Sequence, residues 1–141
     1  MKADDLKGKW KIKRVVCHPE GAQKSSMRGS GQFYLLNASE LLYQEHLWHE
    51  TENHDLLFAS KAYRYIFKEE ELEIYFHQEE NNHLFLTLPM KRKMTGTALC
   101  REDHYHLLWE WVNRDKFLTR YTVKGTNKDY IIESEFRRCI E

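Results

Sequence analysis

The chain has 141 residues, with 22 basic and 22 acidic side chains, so its formal net charge at neutral pH is zero. No run of one sign is long enough to attract nucleic acid or an anionic membrane, and no stretch is apolar for long enough to span a bilayer. We therefore expect neither a nucleic-acid partner nor a membrane partner. The length predicts a single domain over residues 1–141, large enough to bury a core of its own.

The beginning of the sequence and its cysteines bear on the cellular compartment. Residues 1–7 contain no apolar stretch and carry two acids, unlike a secretory signal or a transit peptide. The three cysteines are an odd number without a C-x-x-C spacing, which fits a reducing environment. These features predict a cytoplasmic protein.

Short runs rich in aromatic and β-branched residues are separated by turn-forming residues, at spacings typical of an all-β meander. The longest irregular piece, residues 18–30, is rich in Gly and Ser and is predicted to be a lid-like loop with one helical turn. The pattern predicts an all-β fold, an antiparallel up-and-down β-barrel of about ten strands. In chain order these strands cover residues 9–16, 31–36, 41–49, 60–67, 72–77, 84–88, 94–100, 104–112, 117–124 and 130–139.

The alternation of apolar and polar residues identifies the inward face of the strands. In the strand 104–112 the odd positions are bulky and apolar, whereas His104 and His106 take outward positions. The two histidines share one strand face, but no third metal ligand is signalled, so solvated side chains are the simpler interpretation. The same parity turns several polar residues inward, namely Arg14, Tyr43, Glu45, Tyr105, Tyr121, Tyr130 and Arg138.

Trp10 and Arg138 lie near opposite ends of the chain but are predicted to meet. The first and last strands of a closed antiparallel barrel are neighbours, so a guanidinium on one can stack on an indole of the other. Arg138 needs such a partner, because an unpaired charge on an apolar face costs several kcal/mol. This pairing favours a closed barrel.

The sequence Gly8-Lys9-Trp10 with a late arginine resembles the calycin signature of lipocalins and fatty-acid-binding proteins. The C-terminal third is similar to an uncharacterised family of lipocalin-like domains of unknown function, with motifs H-x-C-x-x-D-x-Y, W-x-V-x-G-P-x-K-D-Y and Y-x-R. The resemblance implies a lipocalin-like barrel and no established activity. The matching residues are Cys100, Asp103, Tyr105, Val123, Gly125, Lys128, Asp129, Tyr130 and Arg138.

The sequence departs from these motifs at three positions. Ala98 replaces the motif histidine, Tyr121 replaces the second tryptophan, and Thr126 replaces the proline. The loss of the histidine removes the base that would activate a nucleophilic Cys100.

Inward polar groups among apolar walls are typical of a small-molecule pocket. We therefore predict a small, partly apolar ligand, and the inward arginines allow it an anionic group. The aromatic content of 13% favours a small or flat ligand over a long fatty chain. We expect no catalytic residue, metal or cofactor, and the oligomeric state stays open. The candidate ligand contacts are Arg14, Tyr43, Glu45, Cys100, Tyr105, Tyr121, Lys128, Tyr130 and Arg138.

Two alternatives to a ligand pocket follow from the same residues. The inward polar groups could satisfy one another, with an arginine paired to Glu45 in a barrel filled by its own side chains. Such a filled barrel would act as a protein-interaction module. An enzyme would instead hold its substrate against Cys100, Tyr105 and Asp103 at the barrel mouth, although Cys100 is also typical of a small core residue and Asp103 of a turn.

Overall fold

The computed structural model describes residues 1–18, 24–50 and 53–140. Within these ranges one short helix precedes ten strands, which confirms the predicted all-β class. The helix is too short to cross a membrane, and no other helix occurs in the described residues. The elements are α1 (Ala3–Leu6), β1 (Gly8–Cys17), β2 (Lys24–Asn37), β3 (Glu40–Glu50), β4 (Leu56–Phe67), β5 (Glu71–Phe76), β6 (Leu84–Pro89), β7 (Lys93–Cys100), β8 (Asp103–Asn113), β9 (Lys116–Lys124) and β10 (Asp129–Arg138).

The ten strands form one antiparallel sheet in the order β6-β5-β4-β3-β2-β1-β10-β9-β8-β7. Consecutive strands are therefore hydrogen-bonded neighbours except for β6 and β7, and β1 also pairs with β10. The sheet curls until β6 and β7 meet at a seam without a hydrogen-bonded ladder. At this seam a Cβ added to Gly96 would lie 2.6 Å from the carbonyl oxygen of Thr87, so the two strands are in close contact. The result is a nearly closed up-and-down barrel, as the sequence predicts.

The predicted loop over residues 18–30 is wrong for its second half. β2 begins at Lys24 and pairs with β1 along residues 24–33, while residues 19–23 of the predicted loop lie outside the described residues. Gly and Ser suggested a loop, but Gly29 has a role inside the sheet. A Cβ there would lie 1.9 Å from the backbone oxygen of His46, so only glycine lets β2 and β3 approach this closely. β4 likewise begins earlier than predicted, at Leu56.

One end of the barrel is closed by α1, which the sequence analysis did not predict. Ala3 and Leu6 of this helix are buried against the core. The Leu6 carbonyl accepts a hydrogen bond of 2.8 Å from the indole N–H of Trp10. Trp10 is opposite Arg138 in the β1–β10 register, and the guanidinium carbon lies 4.3 Å from the ring centroid. The predicted contact between the two ends of the chain is confirmed.

Aromatic rings fill the half of the lumen next to this closed end. Phe117 stacks between Trp109 and Phe136, with ring centroids 4.3 Å apart on both sides. Trp10 packs edge-on against Phe117 at 4.8 Å. This half of the lumen is therefore a packed core with no room for a ligand, so a ligand held inside the lumen must lie nearer the other end.

Candidate functional site

Arg14 projects into the barrel from β1 and forms a bidentate ion pair with Glu45 of β3. Its Nη1 donates to Oε2 at 2.5 Å, and its Nη2 donates to Oε1 at 3.1 Å. The Arg14 Nε also donates to the Ser134 hydroxyl of β10 at 2.7 Å, and the Tyr43 hydroxyl donates to Glu45 Oε1 at 2.6 Å. The sequence left two possible partners for Arg14, an internal carboxylate or a ligand. In the structure Arg14 pairs with the internal carboxylate of Glu45.

The charges of this network are stabilised by one another against the effect of burial. Burial alone would raise the pKa of Glu45, but the charge of Arg14 and hydrogen bonds from Arg14 and Tyr43 hold it below its ordinary value. Burial would lower the pKa of Arg14, and Glu45 more than offsets this. Burial and the nearby Glu45 raise the pKa of Tyr43 well above its ordinary value. At neutral pH the site therefore holds a charged Arg–Glu pair and a neutral tyrosine.

A cavity of about 40 Å³ lies beside the ion pair. Trp109 lines it and is 2% exposed, and its indole N–H has no hydrogen-bond partner in the described part of the chain. A buried donor without an acceptor is rare in folded proteins, because it has lost its hydrogen bond to water. The other lining residues are Arg14, Phe33, Tyr43, Glu45, Lys61, Tyr63, Tyr65, Phe117, Thr119, Tyr121, Ile132 and Phe136.

Phe85 packs against two aromatic residues that line this cavity. The register between β5 and β6 shifts there, since Ile74 pairs with Leu86 but Tyr75 pairs with Leu84, and Phe85 is the extra residue. Such a bulge redirects a side chain, and here both Phe85 and its neighbour Leu86 are buried. The Phe85 ring lies 6.2 Å from each of two cavity-lining rings, Tyr63 and Tyr121, and parallel to both within 14°.

A second polar cluster lies at the mouth, where β7, β8, β9 and β10 are connected by hairpins. Lys128 Nζ contacts Asp103 Oδ2 at 3.0 Å and donates to the Tyr105 hydroxyl at 3.4 Å. Hydrogen bonds to Asp103 and Tyr105 raise the pKa of Lys128. A Cβ on Gly125 would lie 2.0 Å from Asp103 Oδ1, so this glycine lets the two hairpins pack together. Four motif residues of the C-terminal third, Asp103, Tyr105, Gly125 and Lys128, therefore meet at one place.

The structure divides the predicted contact residues into separate groups. Tyr121 lines the cavity with the Arg14 network, whereas Tyr130 and Cys100 are half-buried near the mouth. Arg138 lies four residues further along the β1–β10 pair, about 13 Å from the level of Arg14, and it does not line the cavity. No three potential metal ligands come together among the described residues.

Sequence reasoning missed four residues of the site. Ser134 and Lys61 share the inward parity of their strands, so the alternation could have found both. Trp109 was placed inward, but its unpaired N–H depends on the packing around it. The position of Phe85 results from a bulge, which the alternation does not reveal.

The geometry defines a small up-and-down β-barrel with a charged cluster inside an aromatic lumen. Residues 6–138 match the sequence profile of DUF6314, a family of unknown function, and the chain belongs to this family. No curated protein sequence matches the chain significantly.

Solved structures share the fold at low sequence identity. The S-type phycobiliprotein lyase CPES from Guillardia theta superimposes with a TM-score of 0.75 over 99% of this chain and 91% of the lyase, at 7% identity. A protein of unknown function from the DUF3598 family of Nostoc punctiforme gives a TM-score of 0.69 at 11% identity over 99% of this chain, which spans 49% of that protein. The redesigned β-barrel mFAP1, bound to DFHBI, gives 0.51 at 10% identity over 96% and 97% of the two chains.

Proposed function

We propose that the protein is a lipocalin-like binding protein that holds a small, flat and partly apolar molecule in the half of the barrel away from α1. The ligand lies beside the Arg14–Glu45 pair and presents an acceptor atom to the indole N–H of Trp109. Because Glu45 neutralises Arg14, the proposal does not require an anionic ligand.

The unpaired N–H of Trp109 is the observation that carries this proposal. A filled barrel would be expected to satisfy or avoid a buried donor, since leaving one unpaired costs about 1–3 kcal/mol. Here the donor belongs to a cavity that also contains a fixed ion pair and the Thr119 side chain. Apolar walls with a few fixed polar groups are the usual composition of a ligand site.

The size of the cavity determines how such a ligand is bound. A volume of about 40 Å³ has room for a few water molecules, whereas ligand pockets are usually several hundred Å³. A ligand must therefore displace side chains on entry. Phe85 is the first of these, because its ring separates Tyr63 from Tyr121. A planar molecule replacing Phe85 would take over its contacts with these two rings.

The solved structures support the proposal at the level of the fold. mFAP1 has a barrel of this kind and is bound to the small molecule DFHBI, and the Guillardia theta protein is a phycobiliprotein lyase.

We further propose a cytoplasmic location, which the three free cysteines Cys17, Cys100 and Cys139 support.

Native mass spectrometry of the purified protein, followed by thermal-shift measurements with benzoates and coumarins, tests the proposal. We expect either a co-purified small molecule or a concentration-dependent rise of Tm with at least one compound. Trp109→Phe removes the N–H and keeps an aromatic ring, so it should weaken binding by about tenfold, the effect of one hydrogen bond.

Trp111→Phe is the matched control for this variant. Trp111 lies on the same strand and face as Trp109, but its N–H contacts the sulfur of Met1 at 3.1 Å, and the residue does not line the cavity. Binding should be unchanged in this variant. If no compound binds and none co-purifies, or if both variants bind as the wild type does, the proposed site is wrong.

A further inference from the structure

A cleft lies outside the lumen, at the end of the barrel that α1 closes. Residues of α1, of the turn between β6 and β7 and of the turn between β8 and β9 line it. Its volume of about 740 Å³ is within the usual range for small-molecule pockets. None of its lining residues lines the cavity beside Trp109, so the cleft is a separate candidate site.

The acidic side chains of this cleft are already engaged. Asp4 is paired with Lys7 at 2.8 Å. Asp115 accepts a hydrogen bond from the Arg138 guanidinium at 3.1 Å, and Asp5 accepts one from a backbone N–H at 2.7 Å. Five basic and three acidic side chains line the cleft, so its walls have a formal net charge of +2.

The excess positive charge comes from Lys91, Arg92 and Arg114. These three side chains form no ion pair with an acid of the described chain. Lys91 and Arg92 lie in the β6–β7 turn and Arg114 lies in the β8–β9 turn, so two hairpins supply the cations. Charges of one sign around a cleft attract a ligand of the opposite sign. A phosphate ester, with a charge of about −2 at neutral pH, matches the excess better than a single carboxylate.

Arg92 is held in place by the neighbouring strand β8. Its backbone oxygen accepts a hydrogen bond of 2.9 Å from the Trp111 backbone N–H, and its Nε donates to the Trp111 oxygen at 3.1 Å. Its two Nη atoms have no partner within the described residues. A guanidinium fixed at Nε, with both Nη atoms able to donate, is suited to bidentate binding of a phosphate.

The Trp111 ring adds an apolar surface to the same cleft. The ring packs against the core, with its centroid 5.2 Å from that of Phe117, but it is only half-buried and lines the cleft. Its indole N–H contacts the sulfur of Met1, which is a weak acceptor, at 3.1 Å. The ring of a planar ligand can stack on such a side chain.

We propose that this cleft binds a small aromatic phosphate ester of the size of a mononucleotide. The phosphate is held by Arg92 together with Lys91 and Arg114, and the aromatic ring lies against Trp111. A free phosphate ion would fill only a small part of the cleft and leave the Trp111 ring exposed to water. Because the cleft is separate from the lumen, this ligand and the one proposed above can be bound at the same time.

Isothermal titration calorimetry with AMP, FMN, the nucleosides adenosine and riboflavin, and inorganic phosphate tests this proposal. At least one nucleotide should bind, and its nucleoside should bind at least about tenfold more weakly, because charge-assisted hydrogen bonds to the phosphate are lost. Inorganic phosphate should also bind at least about tenfold more weakly, since it makes no contact with Trp111. The proposal is overturned if neither nucleotide binds at millimolar concentration, or if the nucleoside or the phosphate ion binds as tightly as the nucleotide.

Arg92→Gln tests the phosphate contact and should raise the Kd of the nucleotide about tenfold. Arg114→Gln makes the same test in a turn, should circular dichroism show that Arg92→Gln is not folded. Lys93→Gln is the matched control, because it removes the same charge from the next residue, which is exposed and does not line the cleft. Its Kd should stay within about twofold of the wild-type value.

Trp109→Phe separates this site from the lumen and should leave the Kd of the nucleotide unchanged. If Trp109→Phe weakens nucleotide binding, the nucleotide is bound in the lumen and the proposal is wrong. Equal losses in Arg92→Gln and Lys93→Gln would also overturn it, because they would show an effect of overall charge without a defined contact.

Discussion

The guanidinium carbon of Arg138 lies 4.3 Å from the centroid of the Trp10 ring, at the end of the barrel that α1 closes. The same guanidinium donates to Asp115 Oδ1 at 3.1 Å and to the backbone oxygens of Asp5 and Lys7 at 2.6 and 3.0 Å. Arg138 therefore joins the last strand to the N-terminal segment and to the β8–β9 turn. Its charge is compensated by these acceptors, so its inward position does not leave a buried charge unpaired.

Trp10→Phe and Arg138→Leu should each lower the free energy of unfolding. The double variant should lose less than the sum of the two by about 0.5–2 kcal/mol, because the cation–π contact is removed only once. Urea titrations of the four proteins measure this difference. Arg137→Leu is the control, since Arg137 is exposed on the outer face and should change stability little. Additive losses would show that Trp10 and Arg138 are not coupled.

The features predicted correctly from the sequence are those that follow from the alternation of inward and outward side chains along a strand. The inward position of Arg138 and its pairing with Trp10 follow from alternation and from closure of the barrel. The strand at residues 24–30 could not be predicted, because the need for glycine at position 29 arises from the approach of His46 on another strand. The bulge at Phe85 is likewise set by how β5 and β6 fit together.

For the candidate site, the alternation identified the members but not their partners. Arg14 and Glu45 were both placed inward, and the choice between an internal ion pair and a free arginine depends on the register of β1, β2 and β3. Gly31 is opposite both Trp10 of β1 and Glu45 of β3, a relationship that exists only in the paired sheet. The sequence could therefore predict a lumen with charged side chains, but not which of these side chains form an ion pair.

Arg14→Met should destabilise the protein by about 3–5 kcal/mol, because it leaves the carboxylate of Glu45 buried without its counter-charge. A loss of this size corresponds to a Tm lower by about 10–17 °C for a chain of this length. Adding Glu45→Gln to this variant should recover much of the loss, since no buried charge then remains. Calorimetry of the three proteins checks this order, and an Arg14→Met variant as stable as the wild type would contradict it.

The Glu45 carboxyl should make stability depend on acid pH. Its pKa in the folded protein is below the ordinary value, so its contribution is present in full above about pH 4.3 and is lost as the pH falls through the lower folded-state pKa. The stability difference between wild type and Glu45→Gln should therefore be constant at higher pH and shrink below this value. Urea titrations from neutral pH down to pH 3 measure it, and a difference independent of pH would count against the charged pair.

Cys100 provides a test of the enzyme alternative. The thiol is half-buried in the native protein, so a thiol reagent should label it slowly, and unfolding in urea should make the reaction fast. Replacing Cys17 and Cys139 with serine isolates the signal of Cys100. Rapid, stoichiometric labelling of the folded protein at neutral pH would instead indicate an activated thiolate and favour an enzyme.

Phe85→Ala should separate the role of Phe85 in ligand entry from its role in packing. Phe85 is 8% exposed, so the substitution should destabilise the free protein by about 3–5 kcal/mol. It also opens space between Tyr63 and Tyr121, next to the cavity at Trp109, so binding of the flat compounds should become tighter. Leu86→Ala is the matched control, because Leu86 is also buried but contributes no ring to the stack with Tyr63 and Tyr121. It should lower stability without improving affinity. If both variants bind as the wild type does, Phe85 does not occupy the ligand's place, because a ligand that displaces the ring must bind better when the ring is already absent.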